Sequence, residues 1–226
     1  MLILAADTTT PVESVALLRG SRLLDEVNSE SGTDHSQRLL PAVRFLLHSR
    51  GLDIRDVEGY ALAAGPGSFT GIRIGLSTFK SLGYASGRQI APVSTLEAMA
   101  FKLREPGTRL VCPLLDAKKM EVYGALFEVR GGSLREVVPA GAYSPDRLFS
   151  LLPGRRVIHF VGGGAEMYRQ KINDYFKDQA RFPSRSPFIA HEVGLLGYEM
   201  FRAGRGLGFL EVEPLYLRRS QAEEAH

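Results

Sequence analysis

An internal duplication limits the folds open to this chain. Near the start, the apolar run Leu2 to Ala6 ends in Asp7, and a polar turn leads into a second apolar run. Past the midpoint, Val111 to Leu115 ends in Asp116 in the same way, and a shift of 109 positions superposes the two aspartates. Each passage has the pattern of a strand, an acid, a tight turn and a return strand.

A second pair of matching segments follows in the same order. Tyr60 to Ala64 is a short apolar run that leads into Gly65-Pro66-Gly67, and Val157 to Val161 leads into three consecutive glycines, Gly162 to Gly164. A helix-like stretch comes after each glycine group. The order predicts a duplicated α/β unit, with lobes at 1–105 and 106–226.

Helical periodicity appears in three segments. It predicts helices over 37–50, 70–85 and 188–203, with the third as a candidate to pack back on the first lobe. Pro41 lies inside the first helix, where it is best tolerated if the helix begins shortly before it. On the second helix glycines and serines recur every fourth residue. An exposed glycine inside a helix lowers stability by up to ~1 kcal/mol relative to alanine. The face of small residues therefore predicts close contact with another helix, and a helix of a partner is favoured over one of this chain.

Composition excludes several classes of protein. The chain has 28 Lys and Arg residues and 25 acidic residues, which gives a net charge of +3. This charge is compatible with contact with a polyanion but is too small to indicate a nucleic-acid-binding protein by itself. The single cysteine, Cys112, fits a reducing compartment. The sequence has no basic leader at Met1 to Asp7 and no apolar run of ~18 residues, which together predict a cytoplasmic protein with no membrane span.

Two interpretations stand for the residues that match a nucleotide site. Asp7 and Thr8 in one lobe, with Asp116 and Gly162-Gly163-Gly164 in the other, are candidates to hold a nucleotide and magnesium. Alternatively, both aspartates bond to their own turns and the glycines only allow a tight connection.

The string Gly65 to Gly71 has similar alternatives. It is either an anion site or, as its proline and spacing favour, a sharp strand-to-helix turn capped by Ser68 or Thr70.

The histidines do not predict a metal site. No two of the five have the i,i+4 spacing that places two imidazoles on one helical face, and four residues after His35 stands the apolar Leu39. Four arginines late in the chain are candidates for a phosphate contact, with a solvated surface as the alternative: Arg202, Arg205, Arg218 and Arg219.

Five motifs together identify a family. They are Leu4-Ala-Ala-Asp-Thr-Thr9, His35-Ser-Gln-Arg-Leu-Leu-Pro41, Gly65-Pro-Gly-Ser-Phe-Thr-Gly-Ile-Arg73, Asp116-Ala-Lys-Lys-Met-Glu-Val-Tyr123 and Pro214-Leu-Tyr-Leu-Arg218. With them the chain resembles the TsaB family of tRNA threonylcarbamoyladenosine biosynthesis proteins along nearly its whole length. Lys118 and Lys119 stand where that family often has arginine, which keeps the charge and loses the guanidinium fork.

The resemblance implies a two-lobed actin/Hsp70/sugar-kinase-like, ribonuclease H-like α/β fold. It also implies a non-catalytic role in placing threonylcarbamoyl on the adenosine next to the anticodon in tRNA. The implied partners are a catalytic paralogue (TsaD), which carries a His-x-x-x-His metal motif, an ATPase (TsaE), tRNA through the complex, and a second copy when alone. No cofactor is expected on the isolated chain, with ATP or ADP and magnesium as candidates at a partner interface.

The first functional hypothesis is therefore a scaffold that pairs through the helices of the first lobe. Its predicted interface residues are Leu39, Leu40, Val43, Leu47, Gly71, Ile72, Gly75, Ser77, Phe79 and Ser81. Gly75→Arg or Ser81→Trp is expected to leave the fold intact and to abolish pairing. The alternatives are a stand-alone ATP-dependent phosphotransferase and, with less support, a metallopeptidase.

Overall fold

The computed structural model describes residues 1–30 and 35–217, and it divides into two compact units. The N-terminal unit comprises 1–98 and 187–215, and the C-terminal unit comprises 99–186 with 216–217. The division thus lies at 98/99, before the expected 105/106, and the segment 187–215 returns to the N-terminal unit.

A five-stranded mixed sheet forms the centre of the N-terminal unit. Its spatial order is β3-β2-β1-β4-β5: β1 runs antiparallel to β2 and parallel to β4. The strands are β1 (Leu2–Asp7), β2 (Glu13–Arg19), β3 (Arg22–Ser29), β4 (Gly59–Gly65) and β5 (Ile90–Ser94). Every residue of β1 and β4 is buried, as expected for central strands covered on both faces.

Helices cover both faces of this sheet. They are α1 (His35–His48), α2 (Phe69–Ser86) and α7 (Ala190–Arg202). A short helix, α3 (Thr95–Phe101), follows β5 and spans the boundary between the two units. The predicted helices 37–50, 70–85 and 188–203 are confirmed to within two residues at each end, and Pro41 lies inside α1. In the part of the chain that the structure describes, no helix combines the length and the apolar character needed to cross a bilayer.

α7 is the element that ties the late segment to the first sheet. It packs on β1, β2, β4 and β5. Its Gly194 faces Leu18 and Ala5, and its Gly197 faces Ala61, so small residues on both sides bring helix and sheet close together. Four residues at helical spacing were expected to face the core: Ile189 at the N-cap and Val193 are buried, whereas Leu196 and Met200 are only partly buried.

The C-terminal unit repeats the same sheet. Its order is β10-β9-β6-β7-β8, with β6–β7–β8 antiparallel and β6–β9–β10 parallel. The strands are β6 (Leu110–Lys118), β7 (Glu121–Arg130), β8 (Ser133–Tyr143), β9 (Ile158–Val161) and β10 (Ala180–Arg181). The helices are α4 (Pro145–Leu151), α5 (Gly163–Met167) and α6 (Arg169–Phe176). Phe149, Phe160 and Phe176 form an aromatic cluster in its core.

The duplication predicted from the sequence is confirmed by this topology. Replacing β1–β5 by β6, β7, β8, β9 and β10 reproduces the strand order, and Asp7 and Asp116 occupy equivalent positions near the ends of β1 and β6. The chain is therefore two copies of one α/β plan.

Candidate functional site

Asp7 closes the turn that follows β1. Its Oδ1 accepts hydrogen bonds from the backbone N–H of Thr9 at 2.8 Å and from the Thr9 hydroxyl at 2.6 Å. Its Oδ2 has no hydrogen-bond partner among the described residues, and the whole side chain is buried. The turn interpretation of this aspartate is thus the one that the hydrogen bonds support.

Burial dominates the electrostatics of Asp7. Loss of hydration raises the pKa of its carboxyl above the ordinary value, and the Thr9 hydrogen bonds and the charge of His35 offset only part of that effect. A carboxylate that coordinates Mg²⁺ in a nucleotide site shares the ion with several waters. A fully buried carboxyl does not fit that role.

Thr8 lies against the first turns of α2. Its hydroxyl donates to the carbonyl oxygen of Gly71 at 2.7 Å. A Cβ on Gly71 would lie 1.9 Å from the Thr8 carbonyl oxygen, and one on Gly75 would lie 2.7 Å from the Thr8 hydroxyl. The glycines of α2 therefore make room for the chain's own turn, so the predicted partner helix is not what they accommodate.

The string Gly65 to Gly71 is the sharp strand-to-helix turn that its spacing favoured. Ser68 caps α2, because its hydroxyl oxygen accepts the Gly71 N–H at 3.2 Å, and its own N–H donates to the Thr9 carbonyl at 2.7 Å. The Gly65–Pro66 peptide is cis. The loop thus packs down on the turn after β1.

A buried acid that the sequence analysis missed lies beside this turn. Glu13 begins β2, and its carboxylate contacts His35 Nδ1 at 3.1 Å, while His35 Nε2 lies 3.1 Å from the Thr10 carbonyl oxygen. Burial raises the pKa of Glu13, and the hydrogen bond from His35 opposes that rise. The signal in the sequence was an acid two residues before the apolar run Val15 to Leu18, in a strand whose first six residues are all buried.

Asp116 repeats the turn of Asp7 in the C-terminal unit. Its Oδ1 accepts the Lys118 backbone N–H at 2.7 Å and its Oδ2 accepts the Lys118 ammonium at 2.7 Å. Burial acts to raise its pKa, but the two Lys118 hydrogen bonds outweigh it and the pKa is lowered. Lys118, Lys119 and Met120 all have left-handed backbone angles at this tip.

The three glycines after β9 divide into two roles. A Cβ on Gly162 would lie 2.5 Å from the Leu114 carbonyl oxygen, and one on Gly164 would lie 2.9 Å from the Leu114 carbonyl carbon, so both are required for packing on β6. Gly163 has open space at its Cβ position. The tight connection accounts for two of the three glycines.

These geometries do not fit a magnesium–nucleotide site on either unit taken by itself. Both aspartates bond to their own turns through residues two positions on, and no group of three potential metal-ligating His, Cys, Asp or Glu side chains occurs in the described ranges 1–30 and 35–217. Leu39, four residues after His35, is a core residue with 1% exposure. No catalytic step through a nucleotide or metal follows from these residues.

Most of the predicted interface residues lie inside the N-terminal unit. Seven of the ten are buried, and they are Leu39, Val43, Leu47, Gly71, Ile72, Gly75 and Phe79. Only Leu40, Ser77 and Ser81 are exposed. The apolar positions of α1 and α2 face the sheet, which is why these side chains form the core. Gly75→Arg is consequently wrong as a surface probe, because the arginine would enter the space held by Thr8.

Three large apolar side chains on α1 and α2 are exposed, and of these only Leu40 was among the predicted interface residues. Phe45 is 66% exposed, Tyr84 is 72% exposed and Leu40 is 46% exposed. Together with Ser77 and Ser81 they form what we call the α1/α2 surface. Amphipathic periodicity missed Phe45 and Tyr84 because they lie off the stripe that packs on the sheet.

The predicted arginine cluster is only partly within the described residues. Arg202 and Arg205 are exposed in and after α7, and Arg202 lies over the Tyr198 ring. Arg218 and Arg219 lie outside the described residues. A different arginine group surrounds Glu128 on β7, and three guanidinium groups contact that one carboxylate: Arg130, Arg135 and Arg156.

The doubled sheet defines the class of protein: an actin-like fold of the kind found in sugar kinases and related ATPases. A putative N-acetylmannosamine kinase from Listeria monocytogenes shares it, at a TM-score of 0.50 and 11% identity over 90% of this chain and all of that one. At that identity the likeness concerns the fold alone.

Comparison with more similar proteins identifies the family. A family model described as TsaD, tRNA N6-adenosine threonylcarbamoyltransferase, matches residues 27–225. The tRNA threonylcarbamoyladenosine biosynthesis protein TsaB of Bacillus subtilis is 34% identical over 99% of this chain and 96% of that protein. The structure of YeaZ from Pseudomonas aeruginosa superposes with a TM-score of 0.79, at 30% identity over 96% of this chain and 99% of that chain. The chain belongs to the TsaB family within this TsaD-related group.

Proposed function

We propose that this chain is a non-catalytic subunit in the biosynthesis of N6-threonylcarbamoyladenosine in tRNA. In this role it pairs with a catalytic paralogue of the TsaD type and enables the transfer of threonylcarbamoyl to the adenosine next to the anticodon. Its family membership supports the pathway. The assignment of a non-catalytic role to this chain is based on the hydrogen bonding of Asp7 and Asp116 in the turns after β1 and β6.

The observation that carries the proposal is that both duplicated aspartates are engaged by their own turns. Asp7 is buried, and one of its carboxylate oxygens accepts hydrogen bonds from Thr9. Both carboxylate oxygens of Asp116 accept hydrogen bonds from Lys118. An enzyme of this fold that transfers phosphate needs carboxylates free to hold a metal ion. This chain retains the body of such an enzyme, but both oxygens of Asp116 are engaged and the one unpartnered oxygen, Oδ2 of Asp7, is buried.

We assign pairing to the α1/α2 surface. Phe45, Tyr84 and Leu40 are large apolar side chains that stand exposed on two neighbouring helices. Aromatic side chains of this kind are enriched in the cores of protein interfaces. Exposed Ser77 and Ser81 leave room between them for a facing helix. The same surface would serve a second copy of the chain when the catalytic paralogue is absent.

The remaining partners follow from the same assignment. ATP or ADP and magnesium would bind at an interface with a partner, with no nucleotide resident on this chain alone. The tRNA would be engaged within the complex, in the cytoplasm. A stand-alone phosphotransferase is the competing function.

A reconstituted mixture tests the proposal. Unmodified tRNA, threonylcarbamoyl donor, ATP, the catalytic paralogue and the ATPase are incubated with and without this chain, and modified adenosine is measured by mass spectrometry after digestion. We expect modification only when the chain is present, and none from the chain alone. Full modification without the chain, or turnover by the chain alone, would contradict the proposal.

A further inference from the structure

An open cavity of about 330 Å³ lies on the C-terminal unit, away from the turns described above. Gly107, Arg109, Arg156, Val157 and His159 line it. The His159 ring is held by a contact of 3.3 Å between its Nδ1 and the Leu110 carbonyl oxygen, which leaves Nε2 as its second hydrogen-bonding atom. Three of the five lining residues therefore carry nitrogen donors.

The surroundings of this cavity carry an excess of positive charge. Glu128 lies 2.7 Å from Arg130, 3.0 Å from Arg135 and 3.5 Å from Arg156, so one carboxylate is shared by three guanidinium groups. The Arg130 hydrogen bond is the main cause that holds the pKa of Glu128 below its usual range, so the carboxyl is ionised at neutral pH. Among the described residues, no carboxylate lies within ion-pair distance of Arg109, which lines the cavity.

The chemistry of the lining favours a phosphate group over a nucleobase. Guanidinium groups bind phosphate oxygens through paired N–H donors, and they do so most strongly where few carboxylates compete. Recognition of a base generally uses aromatic stacking platforms. The only ring in this lining is the half-buried imidazole of His159, and the apolar contribution is a single valine.

We propose that Arg109, Arg156 and His159 form a docking site for a backbone phosphate of the tRNA, an inference that rests on the proposed function. The shared carboxylate of Glu128 holds Arg156 in place, and Arg109 supplies the uncompensated charge. The contact is independent of RNA sequence, because phosphate groups position a nucleic acid and base edges specify it. The site supplies affinity for tRNA and takes no part in the transfer chemistry.

Reversal of two charges in the reconstituted mixture tests the site. Arg109→Glu with Arg156→Glu is compared with Arg19→Glu with Arg22→Glu, which makes the same charge change at the exposed β2–β3 hairpin of the N-terminal unit. We expect the KM for tRNA to rise about tenfold over the control, with kcat within about twofold. The slope of log affinity against log salt should fall by about 0.7–0.9, as the loss of one phosphate contact predicts.

The other outcomes would overturn the site. They are a KM equal to that of the control pair, loss of co-sedimentation with the catalytic paralogue at unchanged tRNA affinity, and saturable binding of ADP or inorganic phosphate that the reversal abolishes while the tRNA KM stays constant. Filter binding of tRNA to the purified full chain is measured separately. If wild-type chain supports no modification at all, the proposed function fails, whereas the filter assay still reports on the phosphate contact.

Discussion

Single residues decide whether the turns of this chain can do chemistry. Asp7 and Asp116 make the same bond to the backbone two residues on, yet their environments push the pKa of each carboxyl in opposite directions. The difference is burial, together with the Lys118 ammonium that only Asp116 has. Gly71 is also required at its position, because the Thr8 carbonyl group occupies the space that a side chain on residue 71 would need.

Alanine substitution separates a glycine required for packing from one that is not. We expect Gly71→Ala to lower the free energy of unfolding by about 3 kcal/mol, since backbone at 1.9 Å from the new Cβ must move. Gly163→Ala, in open space at the start of α5, should change it by less than about 1 kcal/mol. Urea denaturation of both variants provides the comparison. Equal midpoints would show that the turn after β1 can move to admit a methyl group on residue 71 without loss of stability.

Neutralising the aspartates should change stability with opposite signs. Because the folded-state pKa of Asp7 is raised above 3.8, the wild-type chain loses stability as pH rises from 3.8 through that higher pKa. Asp7→Asn removes this loss, and we expect it to be more stable at pH 7 by roughly 1–3 kcal/mol. The gain should shrink as pH falls toward 4.

Asp116→Asn serves as the matched control. Its folded-state pKa is lowered, so the ionised carboxylate contributes stability that is present above the ordinary value and lost as pH falls through the lowered one. The substitution should cost less than about 1 kcal/mol at pH 7, because the Lys118 ammonium is largely exposed. Thermal melts from pH 3.5 to 8 test both signs. Destabilisation of Asp7→Asn at every pH would mean that the Asp7 charge is compensated.

At the scale of elements, helix α2 has two sides with separate uses. Its buried side, with Ile72, Leu76 and Phe79, packs on the sheet, and its glycines receive the turn after β1. Its other side presents Ser77, Ser81 and Tyr84 to the surface. The spacing of small residues along a helix therefore does not say by itself which neighbour they admit.

A tryptophan on the exposed side of α2 should abolish pairing without unfolding the chain. Ser81 is exposed and its hydroxyl bonds only back to the Ser77 carbonyl, at 2.8 Å. Ser150 on α4 is also exposed, and its hydroxyl donates a hydrogen bond to the Arg147 carbonyl oxygen. Ser150→Trp is therefore the control. We expect Ser81→Trp to lose co-sedimentation with the catalytic paralogue and at least about tenfold in modification, a loss of pairing free energy of ~1.4 kcal/mol or more. Equal behaviour of the two variants would place the interface elsewhere.

The whole molecule combines two copies of one sheet plan, each with its own core. The second copy departs from the first at the helices that follow β9, where α5 and α6 are short, whereas α2 after β4 runs for 18 residues. A duplicated fold of this class is compatible with nucleotide binding, but fold alone does not supply ligands.

By itself, this chain should therefore not behave as an ATPase. Titration calorimetry with Mg-ATP is expected to show no saturable binding below about 1 mM, corresponding to less than ~4 kcal/mol of binding free energy. Asp7→Ala should leave that trace unchanged. Tight binding that Asp7→Ala abolishes would favour the phosphotransferase.

The sequence by itself determined the duplication, the helices and the family. Each depends on local order: apolar periodicity, a turn after an acid, and strings such as Gly65 to Gly71. These signals can be read without knowing which elements pack together, because hydrophobic periodicity indicates secondary structure directly.

Only the tertiary structure decided which residues face outward. It placed Leu39, Val43 and Phe79 in the core and left Phe45 and Tyr84 exposed, and it paired Glu13 with His35 across 22 positions. It also gathered arginines from β7, β8 and the loop before β9 around Glu128. Helical periodicity indicates which stripe of a helix is buried. Charge clusters and the exposure of single apolar residues depend on neighbours distant in sequence, so that periodicity does not predict them.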